Sequence, residues 1–276
     1  LYMDIKAFKM DGLGNDFVII DQRDQDLSLS KDQIIKICDR KYIGCDQLIL
    51  IKKNSKIDAD LEFYNSDGSV SMACGNGTRC VADLLSKEND KKEIIIWTAG
   101  GVLKSKILGN NLVETEIGVS KTNWKEIPLS KNLDTKNLNI KILDKNNKEH
   151  TGGTAINVGN PHVVFFVGDI EDYNLEKIGP EIENHKLFPE KCNVTIAKVI
   201  SNNLIKVRVW ERGAGLTKAC GTAACATAVA AYMNNLVEKN VDIEFTLGKL
   251  SIYIDKDNSV HMKGPVSDIK KIEIKI

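Results

Sequence analysis

The sequence has no excess of either charge. Lys and Arg together number 38, as do Asp and Glu, so the 276-residue chain carries a formal net charge of zero. A balanced chain is not drawn to polyanions, and neither nucleic acid nor an anionic membrane is expected as a partner. No apolar run approaches the roughly 18 residues that span a bilayer. Leu1-Tyr2-Met3-Asp4-Ile5-Lys6 shows no basic segment leading into an apolar one. No secretory signal is therefore expected, and Met3 is a candidate for the natural start. There is no C-x-x-C, and His150, His162, His185 and His261 are scattered, so no metal site is expected. The seven cysteines (Cys38, Cys45, Cys74, Cys80, Cys192, Cys220 and Cys225) are odd in number and widely spaced. They read as reduced thiols of a cytoplasmic protein.

What is present is organised around two loops. Ala73-Cys74-Gly75-Asn76-Gly77-Thr78-Arg79-Cys80 and Ala219-Cys220-Gly221-Thr222-Ala223-Ala224-Cys225 both run A-C-G-polar-small into an apolar, alanine-containing stretch. The pattern predicts a loop turning into a helix, with a cysteine at the turn. Cys74 and Cys220 are 146 residues apart, as are Gln47-Leu48 and Asn193-Val194, while Gly14-Asn15 and Gly159-Asn160 are 145 apart. Three landmarks in order at a near-constant offset indicate duplication into two similar halves.

Between these landmarks the sequence predicts strands near 17–20, 47–51, 61–64, 94–98 and 113–119. Further strands are expected near 155–158, 163–167, 194–199, 205–210, 243–246, 250–254 and 260–262, and the tail alternates over 269–276. Helices are expected over 30–40 with Ser30 as N-cap, over 74–87, and over 221–233, the last apolar nearly all round and hence buried. Residues 121–149, rich in Lys and Asn, are the expected place of a domain boundary. Strands and single helices without a regular βαβ rhythm predict an α+β fold. Each half would wrap a curved, mostly antiparallel sheet around its own central helix. Equivalent loops would meet in a cleft with one thiol on each wall.

A free cysteine is usually buried and inert. Cys80 and Cys225, one or two helical turns inside, fit that description. Cys74 and Cys220 each precede Gly at a helix start, where unpaired N–H groups and the macrodipole stabilise a thiolate. Gly75, Asn76, Gly221 and Thr222 would supply backbone N–H groups for a carboxylate. Two helix termini aimed at one carboxylate would also acidify the adjacent carbon. Arg212 can hold a carboxylate through two hydrogen bonds and Glu211 can hold an ammonium. Asn15, Gln47, Asn160 and Asn193 are neutral hydrogen-bonding groups that recur at the repeat offset. Asn65 occupies in one half the place of Glu211 in the other. His162 is placed to tune a thiol.

The segments K-M-D-G-L-G-N-D-F-V, D-Q-L, Y-N-S-D-G-S, A-C-G-N-G-T-R-C, N-V-G-N-P-H and W-E-R-G-A-G-L-T-K-A-C-G-T-A-A-C-A together resemble the diaminopimelate epimerase family over nearly the whole chain. The resemblance implies a cofactor-free enzyme that interconverts LL- and meso-diaminopimelate in lysine and cell-wall precursor synthesis, commonly as a homodimer. It implies one lobe of residues 1–119 plus 265–276 carrying Cys74, and another of 120–264 carrying Cys220. It makes the two cysteines the acid/base pair. Asn15, Gln47, Asn65, Gly75, Asn76, Asn160, Asn193, Glu211, Arg212, Gly221 and Thr222 become substrate contacts, with His162 and Glu211 adjusting the thiols. Thr222 stands where the family also uses Ser. Other readings of the thiol pair are a proline-type racemase, a redox protein cycling a Cys74–Cys220 disulfide, and a binding module for dicarboxylic amino acids.

Overall fold

The computed structural model describes residues 5–25, 27–72 and 74–275. Leu1, Tyr2 and Met3, Ala73 of the first cysteine loop, and Ile276 at the end of the alternating tail lie outside them. The chain divides into two compact units. One runs to Glu116 and resumes at Lys263; the other is Ile117–Met262.

The first unit contains β1 (Ala7–Gly12), β2 (Asn15–Asp21), α1 (Lys31–Cys38), β3 (Gln47–Lys52), β4 (Ala59–Asn65), β5 (Val70–Ser71), α2 (Gly75–Asn89), β6 (Glu93–Thr98), β7 (Gly101–Gly109) and β8 (Leu112–Val119). The second contains β9 (Ile140–Leu143), β10 (Glu149–Gly152), β11 (Thr154–Asn157), β12 (Pro161–Phe166), α3 (Leu175–Glu183), β13 (Asn193–Ser201), β14 (Leu204–Glu211), β15 (Gly215–Thr217), α4 (Gly221–Met233), β16 (Asn240–Phe245), β17 (Gly248–Ile254) and β18 (Ser259–Pro265). A last strand, β19 (Lys270–Ile272), returns to pair with β1.

The duplication reappears as a repeated pairing pattern. In the first unit β1–β2 is antiparallel, β2–β3 parallel, and β3–β4 and β4–β5 antiparallel. After α2, β6 lies parallel to β4 and antiparallel to β7. In the second unit β11–β12 is antiparallel, β12–β13 parallel, and β13–β14 and β14–β15 antiparallel. After α4, β16 lies parallel to β14 and antiparallel to β17. The fold is α+β, each unit a mostly antiparallel sheet packed on its own long helix.

Strand periodicity explains the packing. Successive side chains on a strand point to opposite faces. In β2 and β3, Phe17, Ile19, Ile49 and Ile51 pack in one cluster with Val81 and Leu85 of α2. Val18, Ile20, Leu48 and Leu50 pack in another with Ile34 and Ile37 of α1. Both faces are buried, so these strands read as unbroken apolar runs. The second unit follows the same plan: Val163, Phe165, Val194 and Ile196 pack with Leu175, Ile178 and Ile182 of α3, which thus takes the place of α1. Residues 121–149 fold into this unit, with Ile127, Leu129, Leu138, Ile140 and Ile142 in the same cluster. The alanine-rich α4 has ten buried residues among its thirteen, as expected of a helix apolar all round. Ser30 caps α1 through a capping box with Gln33.

Several elements were not foreseen. β1 was not among the expected strands, and β7 carries exposed lysines on its outer face that hide its alternation. β18 runs on to Pro265, beyond the strand expected near 260–262, and of the alternating tail only Lys270–Ile272 forms a strand. The most informative omission is α3, whose Gly179-Pro180 reads as a helix breaker. The apolar spacing Leu175, Ile178, Ile182 nevertheless buries one helical face. Gly179 is there because a Cβ at that position would lie 2.5 Å from Trp210 Cγ. Gly179→Ala should therefore destabilise the protein by about 1–3 kcal/mol, the usual range for overpacking. Denaturant unfolding checks this; an unchanged midpoint would refute the contact.

Candidate functional site

In the first unit the residues singled out by sequence collect at one end of the sheet and at the start of α2. The strand register pairs Phe17 with Gln47 and Gln47 with Asn65, which places Gln47 and Asn65 side by side. Gln47 Nε2 donates to Asn65 Oδ1 at 3.0 Å, and Asn65 Nδ2 donates to Ser69 Oγ at 3.0 Å. Asn15 opens β2 after a tight turn in which Leu13 and Gly14 both have positive φ. Its Nδ2 donates to Asp46 Oδ2 at 3.0 Å, which turns Oδ1 toward Cys74. Asp46 is itself held by Arg40 at 2.7 Å. Cys74 is the N-cap of α2, half-buried and extended (φ −141°, ψ 116°); its Sγ donates to Asn15 Oδ1 at 3.5 Å. Gly75 and Asn76 are the first two residues of the helix, and such N–H groups have no intrahelical acceptor. Behind them Arg79, 0% exposed, donates from Nη2 to Asn76 Oδ1 at 2.8 Å.

The second unit repeats the arrangement with different side chains. His162 pairs with Asn193 as Phe17 does with Gln47. Val194 pairs with Trp210, which sets Asn193 beside Glu211 at the end of β14. Asn193 Nδ2 donates to the Pro161 carbonyl at 3.1 Å, and its Oδ1 accepts the Arg212 N–H at 2.8 Å. Arg212 Nη1 donates to the Glu190 carbonyl at 2.9 Å. Asn160 Oδ1 lies 2.8 Å from His162 Nε2. Glu211 Oε1 accepts from the Thr217 hydroxyl at 2.6 Å, and its carboxylate also hydrogen-bonds Cys220. Cys220 is the N-cap of α4 with nearly the same backbone as Cys74 (φ −143°, ψ 116°). Its Sγ accepts the Ala223 N–H at 3.4 Å and lies 3.4 Å from Thr222 Oγ1. Gly221 and Thr222 open the helix.

Each unit thus begins its long helix with a cysteine N-cap whose sulfur meets a side chain of the same unit, Asn15 in one and Glu211 in the other. A diaminopimelate epimerase family model matches the chain twice, over residues 7–122 and 154–269. The chain belongs to the diaminopimelate epimerase family. It is 77% identical to a diaminopimelate epimerase of Pelagibacter ubique over 99% of this chain and 100% of that one. It is 42% identical to one of Acidiphilium cryptum over 94% and 92%. Among solved structures, a hydroxyproline epimerase of Agrobacterium vitis with bound trans-4-hydroxy-L-proline shares the fold. The TM-score is 0.68 at 12% identity, covering 99% of this chain and 92% of that one.

In this epimerase-family chain Cys74 and Cys220 are helix N-caps, the first half-buried and the second buried. The other five, Cys38, Cys45, Cys80, Cys192 and Cys225, are also buried, and burial pushes the Cys80 and Cys192 thiols up, away from the thiolate. Burial also raises the Glu211 carboxyl, while its hydrogen bonds to Thr217 and Cys220 hold it back. His162, 0% exposed, is pushed down to about 3, by burial first and by the nearby Arg212 charge second. It is neutral near pH 7, so any influence on a thiol runs through an uncharged imidazole. Asp46, Thr217 and Arg79 were not singled out by sequence. Asp46 adjoins Gln47 in a repeat landmark, which is a usable signal. Thr217 and Arg79 gain their partners only through folding. Among the described residues no three or more His, Cys, Asp or Glu side chains are grouped to hold a metal ion, and no helix is long and apolar enough to cross a membrane.

Proposed function

We propose that the chain epimerises diaminopimelate at its α-carbon, interconverting the LL and meso forms, with Cys74 and Cys220 as a cofactor-independent acid/base pair. In this reading residues 1–119 with 265–276 form the lobe carrying Cys74, and 120–264 the lobe carrying Cys220. The enzyme serves lysine and peptidoglycan precursor synthesis in the cytoplasm and acts as a homodimer; family membership supports these assignments.

The observation that carries the mechanism is that each sulfur caps a long helix and has a partner for its proton, Asn15 for Cys74 and Glu211 for Cys220. Cys220 Sγ accepts a backbone N–H at a helix start, which favours a thiolate, and its own proton has Glu211 as acceptor. Cys74 Sγ is a donor to Asn15, which favours a thiol. Epimerisation requires one sulfur as thiolate and the other as thiol, with the assignment exchanged in the reverse direction. The thiolate removes the α-proton, and the C–H electron pair passes onto the substrate carboxylate. Helix N–H groups at Gly75-Asn76 and Gly221-Thr222 stabilise that charge. The opposing S–H then delivers its proton to the other face of the carbon. The centre is inverted, and the two cysteines have exchanged protonation states, ready for the reverse direction. Arg212, Glu211 and the amides of Asn15, Gln47, Asn65, Asn160 and Asn193 hold the charged groups of the substrate. A ligand lacking the distal amino-acid head leaves buried polar groups unpaired and is rejected.

Turnover in D₂O tests this. Solvent deuterium should enter the α-carbon of the inverted product first, as read by mass spectrometry. Inversion without solvent deuterium would rule out proton transfer through the thiols.

A further inference from the structure

We infer that Glu183 is a positioning residue for Glu211 and Arg212. It lies outside every motif discussed above, and the inference rests on the reading of Glu211 and Arg212 as substrate-holding groups. Glu183 is the last residue of α3 and is only 7% exposed. Both its oxygens are engaged. Oε2 accepts the Trp210 indole N–H at 2.7 Å, and Oε1 accepts the Gly213 backbone N–H at 3.0 Å. Those two donors flank Glu211-Arg212 in sequence, so one carboxylate grips the chain immediately before and immediately after the pair.

The chemistry requires this residue type. A carboxylate offers two acceptors and no donor, so it can receive an indole N–H and an amide N–H together. A carboxamide of the same shape must present its NH₂ to one of them. Burying the carboxylate is costly unless both oxygens are satisfied, as they are here. The helix end can reach the turn because Gly179 lets α3 close onto the Trp210 ring. From the other side, Asn193 Oδ1 holds the Arg212 N–H and the Glu190 carbonyl holds the guanidinium. The Glu211 carboxylate in turn bonds Thr217 and Cys220. Glu183 therefore acts on both the binding group and the thiol environment without belonging to either.

The test is a double-mutant cycle in the full-length chain, with initial rates on LL-diaminopimelate. Glu183→Gln should raise KM about tenfold, the loss expected when a charged hydrogen-bond acceptor turns a donor toward a donor. KM does not depend on the folded fraction, so partial destabilisation does not imitate the effect. In a Trp210→Phe background the indole donor is gone, and the introduced carboxamide can turn its oxygen to Gly213. There the same substitution should change KM by less than about twofold. An equal rise in both backgrounds, or a lowered melting temperature with unchanged KM, would overturn the clamp. If Glu183→Gln does not fold, Glu183→Asp, one methylene too short to reach both donors, takes its place with the same expected rise. Arg212→Met separates the two levels. If it leaves KM unchanged, the reading of Arg212 fails and the inference with it. If it raises KM while the Glu183 variants do not, the inference alone fails.

Discussion

Cys74→Ala and Cys220→Ala should each abolish epimerisation, with kcat falling at least about a thousandfold, within the usual share of a positioned acid or base. Inversion needs a group on each face of the carbon, so neither thiol can substitute for the other. The backbone at the two positions gives no reason for collapse: both are extended N-caps with ordinary dihedral angles, and alanine adopts them freely. A one-thiol variant should retain a partial reaction. The remaining sulfur can remove the proton on its own face and return one there, so α-hydrogen exchange in D₂O should persist for a single stereoisomer, with retention. Which isomer exchanges in which variant assigns each sulfur to its face. Brisk epimerisation in either variant would end the two-thiol mechanism.

Acid should destabilise the wild type more steeply than His162→Phe. The imidazole titrates near 6.5 in the unfolded chain but only at about 3 in the folded one. Between those values the unfolded state binds a proton that the native state refuses. The stability from neutral His162 is thus fully present above pH 6.5 and is lost as pH falls toward 3. The slope approaches about 1.4 kcal/mol per pH unit, and the whole effect is on the order of 5 kcal/mol. The cause is burial, with Arg212 opposing a second cation nearby. Phenylalanine is the apt replacement because Phe17 holds the equivalent register position in the first unit, where it too is fully buried. Denaturant unfolding of both proteins from pH 7 to 3.5 measures the difference. Parallel stability curves would show that His162 has a nearly ordinary pKa.

Gly179 and Gly77 show how differently one residue type can be read. Gly77 lies in a loop-to-helix motif that announces itself, and a Cβ there would come within 2.8 Å of Ile49. Gly179 stands beside Pro180 and looks like a break, yet it is the close approach of α3 to Trp210. The same contrast runs through the candidate site. A cysteine before glycine at the head of an apolar segment is a local signal, because helix starts are governed by neighbouring residues. The repeat offset is equally local to the sequence. It led from Asn15 to Asn160 and from Gln47 to Asn193, and register confirms that Gln47 and Asn193 occupy equivalent strand positions.

By itself, then, the sequence determined the α+β duplication, the two cysteine N-caps and the family. These follow from periodicity, turn chemistry and motifs, all carried by residues close along the chain or repeated at one spacing. Only the tertiary structure decided that Cys74 meets Asn15 and Cys220 meets Glu211, that His162 stays neutral, and that Asp46, Thr217 and Glu183 fix their neighbours. Those outcomes depend on hydrogen bonds and burial between residues up to 59 positions apart. A buried polar group's partner is chosen by the fold, and nothing in its own stretch of sequence names it.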